Sequence, residues 1–238
     1  MTSDDERLLE LEIDTIFGLV RPRPAGWPRL ATSDVAAVFG WSPNARVLAL
    51  SAAAAAVVDV ALIGSFSPDS EPAVVTQVKN QLLNSAAFPS ALTVDGGPCY
   101  VFPATADAPQ SSLPIVVSDD AGVVAAQRFV RPDNWEVGEW RQLISGELGS
   151  WAMAVDGLEP VSICHTPTAT PASAEAGVWT RMDHRGAGLA AAVAVAWWKL
   201  ERLRREVVFY STSRDNVASQ SVAAKLGLQP LGWLWTVR

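Results

Sequence analysis

The sequence predicts an α/β protein built on a mixed, partly parallel sheet, and three observations carry that reading. The second half of the chain alternates strand-like and helix-like segments in the order hairpin, strand, loop, helix, strand, helix, strand. A strand followed by a helix and a second strand implies at least one right-handed parallel crossover. At 238 residues and 49% hydrophobic, the chain is long and apolar enough to bury a sizeable core.

The elements follow in chain order. Ser3 and Glu6 read as a capping box that opens a helix with Leu9, Ile13, Ile16 and Phe17 on one side. "RPRPAGWPR" breaks regular structure, and a short helix is expected over Asp34 to Phe39. The run Val47 to Phe66 has the length of a membrane span, but alanine dominates it and Asp59 sits inside it, so a buried strand and helix is the better reading. Val74, Val78 and Leu82 have helical spacing, and "VDGGPCYVFP" reads as a turn and a short strand. Proline and serine thicken between Pro103 and Pro114, which divides the chain into residues 1–112 and 113–238.

Beyond that boundary, "PIVVSDDAGVVAAQRF" reads as a strand, a turn and a new element, and "WEVGEWRQLISGELG" as a helix stopped by glycine. "SWAMAVDGLEPVSICHT" is a hairpin turning at Asp156-Gly157, with Trp151, Met153 and Val155 on one face. "AEAGVWT" is a strand, Leu189 to Arg205 a helix and "EVVFYSTS" a strand. "DNVASQSVAAKLG" is a helix closed by Gly227, and "GWLWTVR" a final strand.

Composition narrows the function classes. A net charge of −7 argues against general attraction to nucleic acid or anionic membrane. Cys99 and Cys164 form neither a disulfide framework nor a metal knuckle, and only two histidines are available to help, so no metal is expected. The acidic start "MTSDDERLLE" is unlike a secretory signal, so a cytoplasmic protein is expected.

The stretch "TRMDHRGAGLAAAVAVAWW" holds the main chemical signal. A glycine loop between a strand and a helix exposes the first-turn N–H groups at the positive end of the helix dipole. Gly186 and Gly188 let a pyrophosphate approach the backbone and Arg185 adds a charge, although glycines also serve tight turns for their backbone angles alone. The loop fits neither the Walker pattern nor the dinucleotide fingerprint.

Arg185-Gly186-Ala187-Gly188-Leu189-Ala190 resembles the Q/R-x-x-G-x-G/A signature of the GNAT superfamily of acyl-CoA-dependent N-acyltransferases, and "YSTSRDNVASQSVAAKLGL" resembles that family's next motif. The resemblance covers roughly Pro114 to Arg238. It implies a splayed central sheet flanked by helices. Residues 1–112, outside the resemblance, are read as an N-terminal α/β extension whose role stays open between a cap, a degenerate second copy and a homodimer surface. The resemblance also implies transfer of an acetyl group from acetyl-CoA to a primary amine of a small-molecule or peptide acceptor, by direct attack. The amides of Arg185, Gly186, Ala187, Gly188, Leu189 and Ala190 would hold the pyrophosphate of coenzyme A. Trp179, Thr180 and Met182 would pair with the pantetheine arm, with Asn216 reaching it from the other side and Ser219 a turn further along.

The resemblance is incomplete where catalysis is concerned. Ala223 stands where the family often has a helix tyrosine that protonates the leaving thiolate, which leaves Tyr210 on the preceding strand, or water, as the candidate source of that proton, a strand tyrosine also serving simply as packing. Glu175, one residue off the family's usual carboxylate, and His165, with its near-neutral titration, are the candidate bases. A non-catalytic acyl-CoA-binding module of the same fold is the competing reading. Ten tryptophans would suit an apolar or aromatic amine pocket.

Overall fold

The computed structural model describes the chain except residues 1–3, 21–26, 33, 63, 69 and 108, so the capping box at Ser3 and most of the Pro-rich break lie outside the described residues. Contacts divide the chain into two compact units. One comprises Met1–Tyr100, Ser211–Val217 and Pro230–Arg238, the other Val101–Tyr210 and Ala218–Gln229.

In the first unit, helix α1 (Asp4–Phe17) buries Leu9 and Ile13 against a sheet that begins with the two-residue strands β1 (Leu19–Val20) and β2 (Arg29–Leu30). Strand β3 (Ala37–Trp41) pairs antiparallel with β4 (Arg46–Leu50) on one side. On its other side it pairs antiparallel with the C-terminal strand β12 (Gln229–Val237), Phe39 opposite Trp235. Helix α2 (Ala73–Leu83) adds Val74, Val75, Val78 and Leu82 to the core around Phe39, Trp41, Leu48, Trp233 and Trp235. The helix expected at Asp34 to Phe39 is therefore a strand. All five β3 residues are buried, so the polar alternation that marks a half-exposed strand is missing.

A second correction concerns Gly96 and Gly97. They lie inside the eight-residue strand β5 (Val94–Val101), not in a turn. A Cβ on Gly96 would sit 2.2 Å from the Trp235 ring, and one on Gly97 1.8 Å from the Thr212 carbonyl oxygen. These glycines admit close neighbours rather than a bend.

The second unit starts with β6 (Ile115–Val117), α3 (Asp120–Ala126) and α4 (Val137–Ser145). Asp119 Oδ1 caps α3 by accepting the Gly122 N–H at 2.7 Å, and Gly146, at φ +81°, stops α4. Strands β7 (Trp151–Asp156) and β8 (Glu159–His165) form the expected hairpin, with Gly157 left-handed at its turn. The strand read from "AEAGVWT" is two strands, β9 (Ser173–Glu175) and β10 (Gly177–Thr180). β10 is an edge of an antiparallel sheet ordered β10-β8-β7-β6, while β9 runs parallel to β11 (Val207–Ser211).

Helix α5 (Leu189–Glu201) packs on β7, β8 and β10, and ends four residues before the predicted stop. Near its end Glu201, 2% exposed, accepts from the Thr166 hydroxyl at 2.8 Å and the Ser150 N–H at 3.3 Å, and Arg205 Nε lies 3.5 Å from its other oxygen. Trp197 Nε1 donates to the same Thr166 hydroxyl at 2.9 Å. The opposite face of the hairpin carries Trp151, Met153, Val155 and Ile163, packed with Trp135, Trp140 and Leu143. Helix α6 (Val217–Lys225) closes at Gly227 with Leu228 N–H on Ala223 O and Gly227 N–H on Ala224 O, the paired bonds of a Schellman end. None of the described helices is long and apolar enough to cross a membrane.

Candidate functional site

The break between β9 and β10 organises the site. Glu175 pairs with Phe209 on β11, and the Ala176 N–H donates to the Phe209 carbonyl at 3.1 Å. The next residue, Gly177, pairs with His165 on β8 instead. One continuous stretch of chain thus changes partners at Ala176, and the two arms of the sheet part there. Among the described residues no strand flanks β10 on its side away from β8, so a row of backbone N–H and C=O groups there remains for an extended ligand.

At the far end of β10 lies the glycine loop. Residues Met182–His184 form one 3-10 turn, and Gly186 (φ +82°) and Gly188 (φ +80°) are left-handed. A Cβ on either would meet no atom within 4 Å, so these glycines are required by backbone angle while the space above them is open. No side chain caps Gly188, and the Ala192 N–H is bonded to the Gly188 carbonyl at 3.2 Å. The N–H groups of Leu189, Ala190 and Ala191 precede that bond and have no acceptor within their own helix. The loop and the edge strand together fit an extended ligand with a pyrophosphate at one end.

Charged side chains brace this loop. Arg181 reaches Glu159 at 2.5 Å and Asp183 at 2.8 Å, while His184 lies 2.9 Å from Asp183 and 3.6 Å from Asp156 in the hairpin turn. The Arg181 hydrogen bond, helped by His184, pulls the Asp183 carboxyl down to about 2. Arg185 is exposed and its Nε donates to the Thr180 carbonyl at 3.3 Å, and the Thr180 hydroxyl lies 2.7 Å from Ser162. Met182 is 78% exposed beside the loop, whereas Trp179 is half-buried against the α4 face. Asn216 lies in the other unit, where its N–H donates to the Ser213 carbonyl at 3.1 Å.

The two candidate bases sit on strands of different sheets, His165 on β8 and Glu175 on β9. His165 lies edge-on to Trp135, ring centroids 5.0 Å apart, on the α4 face. Its Nδ1–H donates to the Gly177 carbonyl at 3.1 Å, since a carbonyl can only accept, which leaves Nε2 as the basic nitrogen. Burial pushes the imidazole below its usual value, against smaller upward effects from that hydrogen bond and the Glu139 charge. Glu175 is 6% exposed, and its charge acts on Cys164. Burial first, then the charges of Glu175 and Glu201, hold the Cys164 thiol well above its ordinary value, so it is a poor nucleophile. Tyr210 and Ser219 are brought together, Oη to Oγ 2.7 Å, and Ala223 is fully buried.

Two contributors escape sequence reasoning. Gly177 makes room for the imidazole, because a Cβ there would lie 2.6 Å from His165 Cε1. Ala176 is where the strand changes partners. The only local signal for either is the run of small residues in "AEAG".

The profile of the acetyltransferase (GNAT) domain matches residues 103–229, more than half of the chain. The chain belongs to the GNAT acetyltransferase family. No curated protein matches it in sequence. Among solved structures, this GNAT chain is similar to an acetyltransferase of the GNAT family from Colwellia psychrerythraea at 16% identity, covering 68% of this chain and 60% of that one with a TM-score of 0.47. A GCN5-related N-acetyltransferase-like protein from Streptococcus suis gives 16% identity, 62% of each chain and a TM-score of 0.43. A tandem GNAT protein from the clavulanic acid biosynthesis pathway gives 15%, 72% of this chain, 59% of that one and 0.46. The match spans about three-fifths of each of these proteins.

Proposed function

We propose that this protein transfers an acetyl group from acetyl-CoA to a primary amine by direct attack. The observation that supports this most is the partner change at Ala176, which opens an edge strand leading directly to the uncapped, left-handed glycine loop. In this reading the amides from Arg185 to Ala190 hold the pyrophosphate, and the backbone from Trp179 to Met182 pairs with the pantetheine arm. The thioester then lies near Gly177, at the parting of the strands. The attacking amine must be neutral, and His165 Nε2 takes its proton while Gly177 O holds the ring. Glu175, buried on β9, is assigned to packing. Small, reduced thiols at Cys99 and Cys164, both buried, suit a cytoplasmic setting.

The test is a thiol-release assay on a panel of primary amines, with acetyl-CoA binding measured alongside. Because burial lowers the His165 titration, kcat/KM should fall as pH drops through a value below about 6.5, where the base becomes protonated. His165→Gln should lower the rate about 100-fold and remove that acid limb. An unchanged limb in H165Q assigns the base elsewhere. The buried Ala223 methyl, in place of a helix tyrosine, favours one second reading, a non-catalytic acyl-CoA-binding module. Binding of acetyl-CoA without release on any amine would select it.

A further inference from the structure

Beside β10 lies a cleft of about 340 Å³ whose apolar walls are Val130, Pro132, Pro160 and Trp179. Two stretches of chain lead from it to His165. Residues 130–134 line the cleft, and the next residue, Trp135, meets the imidazole edge-on at 5.0 Å. On β10, Trp179 stands two residues, or about 7 Å, from Gly177, whose carbonyl holds that imidazole. The loop is fixed in place. The Val130 N–H donates to the Leu158 carbonyl at 2.9 Å, and Arg131 donates to the carbonyls of Trp135 and Pro132. The charges around the cleft are unequally committed. Arg181 lies between Glu159 and Asp183, at 2.5 and 2.8 Å, and Arg131 is bound by its own loop. Asp133, which also lines the cleft, is exposed and makes no ion pair or hydrogen bond among the described residues. Glu136 and Glu139 at the start of α4 have the same sign, and the Glu139 charge is felt at His165.

Resting on the acetyl-CoA reading above, we infer that this cleft receives the far end of the acceptor, and that the acceptor carries a second positive charge there. The reacting amine sits neutral beside His165 Nε2, a distant ammonium or guanidinium meets Asp133, and an apolar linker joins them along Trp179 and Pro132. The cleft begins about 7 Å from Gly177, and Arg181 lies two residues beyond Trp179, so the two nitrogens are separated by roughly 7–14 Å. Charge decides the class. An acidic tail would face Asp133, Glu136 and Glu139 with both nearby arginines already engaged. A neutral apolar tail would fill the walls and leave Asp133 as it is in the free protein. A cation gains the Asp133 carboxylate and the Trp179 indole together. Asp133 is thus a specificity-determining residue, which holds the far end of the acceptor and takes no part in bond making.

The test uses 1,8-diaminooctane, octylamine and 8-aminooctanoate, which place an ammonium, a methyl and a carboxylate at nearly the same distance from a reacting primary amine. Thiol release gives kcat and KM, and calorimetry on protein saturated with coenzyme A gives binding without turnover. Wild type should favour the diamine over octylamine by about 10-fold in kcat/KM, beyond the factor of two from its equivalent ends, with 8-aminooctanoate lowest. Asp133→Asn should raise KM for the diamine about 10-fold while leaving kcat, octylamine turnover and the melting temperature unchanged. Asp133→Glu, which keeps the charge, should retain the preference. If the three amines bind alike or not at all, or if D133N keeps the preference, the cleft does not select a cation and the inference is wrong. Ordered binding without thiol release would overturn the transfer reading alone, because the cation selectivity is then measured directly. Wild type that fails to bind acetyl-CoA would overturn the acetyl-CoA reading, and the acceptor's place in the cleft with it.

Discussion

Gly188→Val should weaken acetyl-CoA binding about 100-fold or more. At φ +80° an L-residue is strained by roughly 1–2 kcal/mol, more for a β-branched one, and its side chain would stand in the open space over the first-turn amides. Part of the loss would come from a distorted helix start, so Gly188→Asn is the sharper variant. Asparagine tolerates the left-handed region, and G188N should melt within a few degrees of wild type yet still exclude the pyrophosphate. Wild-type acetyl-CoA affinity in G188N, read by calorimetry, would remove the phosphate from this loop.

The largest stability effect is expected at Glu201. Replacing it with alanine removes the acceptor shared by Thr166 and Ser150 and leaves the Arg205 guanidinium without its carboxylate. Deleting one partner of a buried charged network costs about 3–5 kcal/mol, against about 1–2 for Glu201→Gln, which keeps the shape and one acceptor oxygen. At 2–4 °C per kcal/mol for a chain of this size, the melting temperature of E201A should drop by roughly 10 °C. Denaturant unfolding would check it. A loss under about 1 kcal/mol would mean that the network contributes little beyond what water supplies.

Legibility in the sequence follows the range of the interactions. The hairpin at Asp156-Gly157, the helix ends at Gly146 and Gly227, and the loop at Gly186 and Gly188 are set by backbone angles that local residues dictate, and all were readable. β3 was not, because its neighbour β12 comes from the opposite end of the chain and its two covered faces erase the period. Gly96 and Gly97 misled for the same reason: the Trp235 ring and Thr212 backbone that demand them are remote in sequence. At the site, residue types were legible but faces were not. Spacing alone cannot show that the chain changes partners at Ala176, and that change sends Glu175 to the Cys164 side and leaves His165 with Trp135. The Tyr210–Ser219 contact likewise joins a strand to the helix after it, a meeting that only the packed structure fixes.

Backbone capture of acetyl-CoA along β10 and the α5 start is the central claim, and amide hydrogen exchange with and without acetyl-CoA tests it most directly. The account predicts slowed exchange at residues 178 and 180, whose amides face the open edge of β10, and at 189–191, with no comparable change along the β7–β8 hairpin, whose amides are already paired. Saturating acetyl-CoA that leaves both of those segments exchanging as in the free protein would contradict it.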